Sequence, residues 1–366
     1  MSLHYRLSEP SDNPRLQSLV AKITMPGPAQ MCFQRAPDFF VGAKVIGESQ
    51  RIVVVDDATR PDALAGVTVI SGRHVYISGK KRFVHYSGDT RVDPTYRKRG
   101  IGGTMFVEQR KYHEPSDLVQ AVVLNGNTAA LDAARAVQGN RVFDFWLSHT
   151  IETSFMFIRK GAPRVPAGVT MKTASAADID AMQAFQDCEA PRRNGYPAYD
   201  FHKLIEGDPY YAGLKIQDYT LAMRGGQIVG MLAAWNQKGY KQTRITGMHP
   251  FTRLIRPAYN AYVGVKGGFK LPRVGGILNY LTLANILVAN DDADVFQGLI
   301  DWIMAHQGRH VDALATCVTH GDPLVEVPRR YKRQKLFSQH LWMTFGEDDP
   351  RTEIDDRPLY MELGRL

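Results

Sequence analysis

The chain has 366 residues, of which 44% are apolar and 22% are charged, as in an ordinary globular protein. This length exceeds one ordinary hydrophobic core and favours two domains. No apolar run approaches the length of a membrane span, and residues 1–25 contain no signal-peptide core. These observations argue against a membrane-embedded protein, and we expect no membrane partner.

The cysteines and the net charge further limit the kind of protein that this chain can be. Cys32, Cys188 and Cys317 are widely spaced and form no Cys-x-x-Cys pair, which argues against a disulfide framework or a structural zinc site. We therefore expect no metal and a cytoplasmic location. The formal net charge of +8 favours anionic partners, which include phosphorylated cofactors, nucleic acids and acidic membranes.

The first elements along the chain are a strand, a helix and a hairpin. A short strand around Tyr5 leads through a polar turn into a helix, whose start is marked by Asp12-Asn13-Pro14. Two strand-like runs at 51–56 and 64–69 then indicate a hairpin.

The most informative segment follows a strand-like run at 83–92 and the breaker Asp93-Pro94. It reads Arg-Lys-Arg-Gly-Ile-Gly over residues 97–102 and opens a helix near Ile101. Glycines let the backbone turn sharply, the helix start adds unpaired N–H donors, and the cations supply full charge. The segment predicts a loop that binds a diphosphate; the alternative is a glycine-rich turn with solvated cations. The glycine spacing fits neither a Walker loop nor a dinucleotide fingerprint.

The strand, the Val92-Asp93-Pro94 turn, the Arg-x-x-Gly-x-Gly loop and the helix resemble the acetyl-CoA-binding motif of the GCN5-related N-acetyltransferases. In that family the pattern (Gln/Arg)-x-x-Gly-x-(Gly/Ala) binds the pyrophosphate of coenzyme A. The resemblance implies acetyl-CoA, or another acyl-CoA, as co-substrate. The residues that it assigns to the cofactor are Arg91, Val92, Arg97, Lys98, Arg99, Gly100, Ile101, Gly102, Gly103, Thr104 and Asn127.

The resemblance also implies where the pantetheine arm of coenzyme A lies. The family holds this arm between two parallel strands that splay apart, which here are 83–92 and 118–124. Asn127 opens a predicted helix over 128–136 and matches an asparagine that frequently contacts the arm. An equally good interpretation of Asn127 is a plain helix cap.

Acyl transfer to an amine is helped by a base, because an amine with a pKa near 10 is neutral in only about one molecule per thousand at pH 7. Many family members place a glutamate on the strand before the turn; here Ser87 is closest to that place. The candidate catalytic residues are Asp89 and His85 as bases and Tyr86 as an acid that protonates the departing thiolate. Asp89 is alternatively a turn residue or an ion-pair partner, and His85 a packed residue. Ala134 replaces a tyrosine that the family often carries near the thioester sulfur.

The C-terminal part repeats the plan of the first after a proline-rich linker at 163–168. The matched residues, at one constant offset, are Tyr5 with Met171, Asp12 with Asp178, and Leu16 with Met182. The run 219–233 predicts a second hairpin with a tight Gly225-Gly226 turn. We predict a mixed α/β (α+β) fold of two tandem acetyltransferase-like domains, 1–162 and 169–366, each a twisted mixed sheet flanked by helices.

The second domain lacks the diphosphate loop. Its strand at 277–289 leads through Asn290-Asp291-Asp292-Ala293-Asp294 into a helix at 295–306, and three aspartates there would repel a diphosphate. We expect the first domain alone to bind the cofactor. The second domain is then expected to shape the acceptor site or a homodimer contact.

Two further segments carry open interpretations. The run 249–276, rich in glycine, aromatics and cations, is either a flexible cover for the acceptor cleft or a plain surface excursion. The basic run 329–335 either contacts phosphates or is a solvated edge. Nucleic-acid binding is not favoured, because no known reading module accompanies it.

We predict an enzyme that moves an acyl group, acetyl by preference, from coenzyme A to an amine of a small molecule or peptide. The amine attacks directly in a ternary complex. The alternative is a non-catalytic acyl-CoA sensor or partner-docking protein, in which the missing tyrosine reflects lost chemistry.

Overall fold

The computed structural model describes residues 3–25, 27–139, 143–159, 161–346 and 349–366. The N-terminal half contains β1 (Leu3–Leu7), α1 (Asn13–Ala21), β2 (Ala29–Gln34), α2 (Phe39–Lys44), β3 (Ser49–Asp57), β4 (Leu64–Ile77), β5 (Lys80–Val92), α3 (Ile101–Gln109), β6 (Val119–Leu124), α4 (Thr128–Arg135) and β7 (Asp144–Phe157). The C-terminal half contains β8 (Thr170–Thr173), α5 (Ile179–Glu189), β9 (Tyr196–Pro197), α6 (Phe201–Glu206), β10 (Tyr219–Arg224), β11 (Gln227–Trp235), β12 (Gln242–Met248), α7 (Pro250–Lys266), β13 (Tyr280–Val288), α8 (Ala293–His306), β14 (Ala313–Thr319), α9 (Glu326–Arg329) and β15 (Arg333–Thr344).

One large mixed sheet runs through both halves. Within the described residues its strand order is β1-β3-β4-β5-β6-β15-β7-β14-β13-β11-β10-β8, and β9 pairs with β4. The pairs β5–β6 and β13–β14 are parallel, whereas their neighbours are antiparallel. β2 and β12 form a separate two-stranded ribbon. The predicted mixed α/β class is confirmed.

The two halves exchange strands at the centre of this sheet. β15, from the C-terminal half, lies between β6 and β7, and β7 pairs in turn with β14. Backbone hydrogen bonds therefore join strands that precede the predicted linker to strands that follow it. The predicted domain boundary at 163–168 stays a prediction, because one continuous sheet contains strands from both halves.

The predicted hairpins and helix starts recur in the structure. β10 and β11 turn at Gly225 (φ 57°) and Gly226 (φ 80°), and two positive φ angles are what a type I′ turn requires. α3 begins at Ile101 and α4 at Thr128.

The segment 249–276 differs from the flexible cover that was one of the two expectations, because it contains the 17-residue helix α7. Pro250 occupies the first turn, where a missing N–H costs nothing. The His249 ring accepts a hydrogen bond from the Phe251 N–H at 3.3 Å. No described helix is both long enough and apolar enough to cross a bilayer.

The C-terminal segment, residues 359–366, lies between the halves. Leu359 and Met361 are buried against the central strands. The Arg365 guanidinium is fully buried and donates to the carbonyls of Val45 (2.6 Å) and Tyr210 (2.8 Å), one in each half.

Candidate active site

Strands β5 and β6 separate after a short paired stretch, and the gap between them is here called the cleft. The two strands are paired at only three positions, His85 with Val119, Tyr86 with Gln120 and Ser87 with Ala121. Beyond Ser87, β5 continues along β4 while β6 continues along β15. Within the described residues, the edge of β5 over 88–92 therefore has no strand partner on the cleft side. Unpaired strand edges bind extended ligands through main-chain hydrogen bonds.

A bulge in β5 sits at this separation. Gly88 pairs with Val69 and Arg91 with Val67, so two residues of β5 face one of β4. Asp89, inside the bulge, has a φ of 49°. Because bulges bend a strand and increase its twist, this one turns β5 away from β6.

Asp89 is held in a buried ion-pair cluster. Its carboxylate accepts hydrogen bonds from Arg35 Nε (2.5 Å) and Arg91 Nη2 (3.1 Å). Burial alone would raise the pKa of Asp89, but the two guanidinium groups outweigh it and hold that pKa well below its usual range. The carboxylate is thus ionised and already paired at neutral pH, which makes it a weak proton acceptor. The ion-pair interpretation describes its geometry better than the catalytic one.

Lys241 reaches the same region from the C-terminal half. Its ammonium donates to the main-chain oxygens of Leu366 (2.6 Å) and Leu363 (3.3 Å). The pKa of Lys241 is lowered to about 7, chiefly by burial and also by the nearby Arg35 guanidinium, while the Asp89 carboxylate opposes this shift. Neither Arg35 nor Lys241 was singled out from the sequence, because both reach the bulge from segments distant in the chain.

Tyr86 is packed into the core. It belongs to a buried cluster with Leu16 and Val69, and the Arg73 guanidinium lies 5.5 Å from its ring centroid. Burial raises the pKa of the Tyr86 hydroxyl well above its ordinary value. This position makes Tyr86 a poor source of a proton for a ligand in the cleft.

The side chain of His85 points to the face of the sheet opposite that of Tyr86, and it is paired with a carboxylate. Its Nε2 lies 3.1 Å from Asp117 Oδ2, and its buried Nδ1 has no hydrogen-bond partner among the described residues. The buried Ser87 hydroxyl, two residues along the strand, likewise lacks a described partner. A carboxylate on one ring nitrogen orients a histidine and leaves the other nitrogen to accept a proton.

His113 packs beside this dyad. Its ring lies edge-on to His85 at 4.7 Å and is stacked on Phe345 at 4.6 Å. Ligand atoms of His85, His113 and Asp117 all lie within 4.8 Å of one another, a spacing that also suits a divalent cation. The expectation that the protein uses no metal therefore stays a prediction.

The basic turn lies at the carboxyl end of β5. Lys98 (φ 62°) and Gly100 (φ 77°) have left-handed backbone conformations, and Arg97, Lys98 and Gly100 are exposed. Gly100 is the N-cap of α3, and within the described chain no side chain caps this helix start. The Arg99 guanidinium lies 5.4 Å from the Tyr96 ring. N–H groups without intrahelical partners, together with cations, make this helix start suitable for an anion.

Some of the residues after the turn are exposed, and others pack against the rest of the protein. Ile101 is buried, and a Cβ on Gly103 would lie 3.0 Å from Val137 Cγ1. A Cβ on Gly102 would lie 3.2 Å from Ala133 Cβ. These glycines therefore bring α3 close to α4, in addition to any contact with a ligand. Thr104 is exposed, and its hydroxyl is 3.3 Å from the Gly100 carbonyl.

Asn127 stands at the N-cap of α4 on the other side of the cleft. Its exposed side chain makes no capping hydrogen bond within the described residues. The helix-cap interpretation therefore agrees with the position of Asn127, but it does not explain its side-chain amide, which does not cap the helix. Arg91 and Val92 are half-buried at the end of β5, and Ala134 is a core residue of α4.

The C-terminal half has the same splay in its own parallel pair. β13 and β14 are paired at only three positions, from Tyr280 with Ala313 to Thr282 with Ala315. A bulge follows in β13, where Asn285 has a φ of 51°. Asn285 thus corresponds to Asp89, which supports the internal duplication inferred from the sequence.

Residues 359–362 fill this second splay. The Asn285 N–H donates to Glu362 Oε2 at 2.7 Å, and the Ile286 N–H donates to the Tyr360 hydroxyl at 3.1 Å. The Tyr196 hydroxyl donates to Asn285 Oδ1 at 2.6 Å. The backbone donors at this bulge are therefore satisfied within the chain.

The helix start beside the second splay is also satisfied. The Asp292 carboxylate accepts hydrogen bonds from the N–H groups of Asp294 and Val295, both at 3.1 Å. Asp291 forms an ion pair with Arg193. The two halves thus differ at these helix starts. Within the described residues the start of α3 has no side-chain cap and is flanked by cations, whereas the start of α8 is capped by the Asp292 carboxylate.

The basic run 329–335 is largely neutralised inside the protein. Arg329 and Arg333 both pair with Glu152, and Arg330 lies 3.6 Å from Asp294. These contacts fit a structural edge better than a phosphate-binding surface.

Solved acyltransferase structures share this fold over almost the whole chain. A GCN5-related N-acetyltransferase from Sphaerobacter thermophilus superposes with a TM-score of 0.55 at 14% identity, covering 95% of this chain and 98% of that one. Saccharomyces cerevisiae N-myristoyltransferase, solved with bound myristoyl-CoA, superposes with a TM-score of 0.59 at 9% identity, covering 98% and 89%. A GCN5-related N-acetyltransferase from Anabaena variabilis gives 0.50 at 11% identity, covering 94% and 73%.

At these identities the likeness establishes the fold alone. The chain has the GCN5-related N-acetyltransferase fold in a tandem arrangement, as its sequence motif and internal repeat predicted. No protein-family model and no curated protein matches the sequence.

Proposed function

We propose that the N-terminal half binds an acyl-CoA and transfers its acyl group to an amine of a small molecule or peptide. One observation carries this proposal: within the described residues the edge of β5 beyond Ser87 has no second strand partner, and β5 leads to the start of α3 with its exposed cations. An unpaired strand edge suits an extended arm, and a helix start beside cations suits a diphosphate.

In this proposal each part of coenzyme A has its own partners. The pyrophosphate lies against the N–H groups that open α3 and beside the side chains of Arg97 and Lys98. The pantetheine arm pairs with the edge of β5 over 88–92, and the Asn127 amide contacts it from across the cleft. Arg99, Gly102, Gly103 and Thr104 complete the turn.

The donor class is supported by a structural neighbour, and its acyl length comes from the sequence motif. The yeast structure contains myristoyl-CoA, so the fold accommodates acyl-CoA thioesters. We choose acetyl-CoA because the turn follows the acetyl-CoA-binding pattern. We place the reaction in the cytoplasm.

The chemistry is direct attack in a ternary complex. The amine nitrogen bonds to the thioester carbon, the carbon–sulfur bond breaks, and coenzyme A leaves as a thiolate that takes up a proton. A backbone N–H at the bulge stabilises the oxygen on which charge develops. We assign His85 Nδ1 as the acceptor of the amine proton, through a water molecule, with Asp117 orienting the ring. Asp89 is a positioning residue that fixes the bulge.

The direct test is a thiol-release assay with acetyl-CoA and a panel of amines. The double variant Arg97→Glu with Lys98→Glu removes two cations from the pyrophosphate side. We expect the KM for acetyl-CoA to rise by about tenfold or more, since each charge-assisted contact contributes about 1.5–3 kcal/mol. Lys203→Glu, an equally exposed charge reversal in α6, is the matched control and should match the wild type. A double variant with unchanged KM would refute the assignment of the turn.

The second candidate function is a non-catalytic acyl-CoA sensor. It is favoured by Ala134, a core residue at the place where the family often has a tyrosine. Acyl-CoA binding without thiol release for any amine would select the sensor over the enzyme.

A further inference from the structure

Helix α7 turns its apolar face outward. Phe251 is 63% exposed, Leu254 77%, Tyr262 60% and Val265 84%, and Ile255 is exposed as well. These five residues, here called the α7 face, recur at intervals of three, four and seven positions, which places them on one side of the helix. A surface helix of a globular protein normally shows the reverse arrangement.

The side of α7 that contacts the protein is mostly polar. Asn260 donates to the Leu271 carbonyl at 3.0 Å and accepts from the Leu271 N–H at 2.8 Å. Arg256 donates to the same carbonyl at 3.3 Å. Val263 is the one residue of α7 that is fully buried, within the described chain. The helix is thus fixed by polar contacts while its apolar residues remain in water.

Both ends of α7 are anchored. The preceding strand β12 pairs with β2 from the N-terminal half. After the helix, Phe269 is buried against the rings of Phe155 (5.6 Å) and Phe157 (5.9 Å). The orientation of the α7 face is therefore set by the fold, and a loosely attached helix does not explain its exposure.

The chain segment that carries the α7 face contains cations and no anions. The 72 residues from 219 to 290 include nine lysines and arginines and no aspartate or glutamate. Arg253 and Lys266 on the helix, and Lys270 and Arg273 just after it, are all exposed. An apolar stripe flanked by cations complements a surface that is apolar inside and anionic outside.

We propose that the α7 face binds the surface of a membrane that contains anionic lipids. The apolar side chains enter the boundary between headgroups and acyl chains, and the neighbouring cations contact the lipid phosphates. A second copy of this chain is a poorer occupant, because a symmetric contact would bring the same cations together. This proposal replaces our sequence-based expectation that no membrane is involved, and it does not depend on the proposed transfer reaction.

Vesicle co-sedimentation of the full chain tests the proposal. The probes are vesicles of phosphatidylcholine alone and of phosphatidylcholine mixed with phosphatidylglycerol. We expect binding to the anionic vesicles that is about tenfold or more stronger than to the neutral ones and that weakens with added salt. Leu254→Glu with Val265→Glu should reduce this binding by about tenfold or more, because two apolar side chains are replaced by anions.

The matched control is Ile205→Glu, which changes an apolar residue of α6 that is 51% exposed. It should bind vesicles as the wild type does. A second variant, Lys266→Glu with Lys270→Glu, should lose the preference for anionic vesicles while keeping all five apolar residues.

Three results would overturn the proposal. One is failure of the wild type to sediment with anionic vesicles. Another is equal binding by the wild type and the Leu254→Glu, Val265→Glu variant. The third is a wild-type dimer in light scattering that this variant converts to a monomer without any vesicle binding, which would make a second copy the occupant.

Discussion

At the scale of single residues, Asp89 contributes both a buried charge and the backbone conformation of the bulge. It carries the left-handed backbone of the bulge, and its carboxylate is the partner of the buried Arg35. Asp89→Asn leaves that guanidinium without a counter-charge, and we expect a loss of about 3 kcal/mol in the free energy of unfolding at pH 7. Urea denaturation measures it. Asp132→Asn, in an exposed pair with Arg135, is the control and should cost at most about 0.5 kcal/mol.

The pH dependence of this loss follows from the lowered pKa of Asp89. The unfolded chain binds more protons than the folded one between the folded pKa and the ordinary value near 4, so this contribution to stability rises with pH in that window. The difference between Asp89→Asn and the wild type should therefore be complete above pH 5 and should shrink as the pH falls below about 4. A difference that stays constant to pH 3 would contradict the ion-pair account.

His85 supplies a prediction about catalysis at the same scale. Removing a general base typically costs 10²–10⁴-fold in rate, so His85→Gln should reduce kcat by about that factor while the affinity for coenzyme A stays within about twofold. Asp117→Asn should reduce kcat by a smaller factor, because the ring is retained but less well oriented. His310→Gln, an exposed histidine after α8, serves as the control. Unchanged kcat in His85→Gln would remove it from the mechanism.

At the scale of elements, the start of α3 is a left-handed turn with open space in front of it. A Cβ on Gly100 would meet nothing within 4 Å, although its φ of 77° is strained for any other residue. We expect Gly100→Val to lower stability by about 1–2 kcal/mol and to weaken coenzyme A binding by about tenfold or more, since the side chain occupies ligand space.

Gly207 offers a matched control for this prediction. It closes α6 with a φ of 81° and equally open surroundings, yet it lies outside the cleft. Gly207→Val should cause a similar loss of stability in thermal unfolding and no loss in the affinity for coenzyme A. Equal losses of affinity in both variants would show that the Gly100 effect is general strain.

Local pattern was sufficient for the elements that border the cleft. The strand before the turn, the helix starts at Ile101 and Thr128, and both hairpins follow from breakers and periodicity within short windows. The Arg35–Asp89 pair was out of reach, because it joins residues 54 positions apart through a bulge. The direction of the α7 face was equally out of reach, since periodicity finds an apolar stripe but not which side is covered.

At the scale of the whole molecule, strand exchange makes the two halves one folding unit. β15 supplies hydrogen bonds to both β6 and β7, and Arg365 bonds to carbonyls on either side. We therefore expect a single cooperative transition in calorimetry of the full chain. The fragment 1–162 would leave β7 without a partner and would expose one edge of β6, and it should not give a folded, monomeric product. A stable fragment with its own sharp transition would establish independent domains.

The full chain also contains two splays of which one is filled by residues 359–362. Calorimetric titration of coenzyme A into the full chain tests this difference most directly. The account predicts one site per chain, lost in Arg97→Glu with Lys98→Glu and retained in Lys203→Glu. No heat of binding, two sites per chain, or a single site unaffected by the double variant would contradict it.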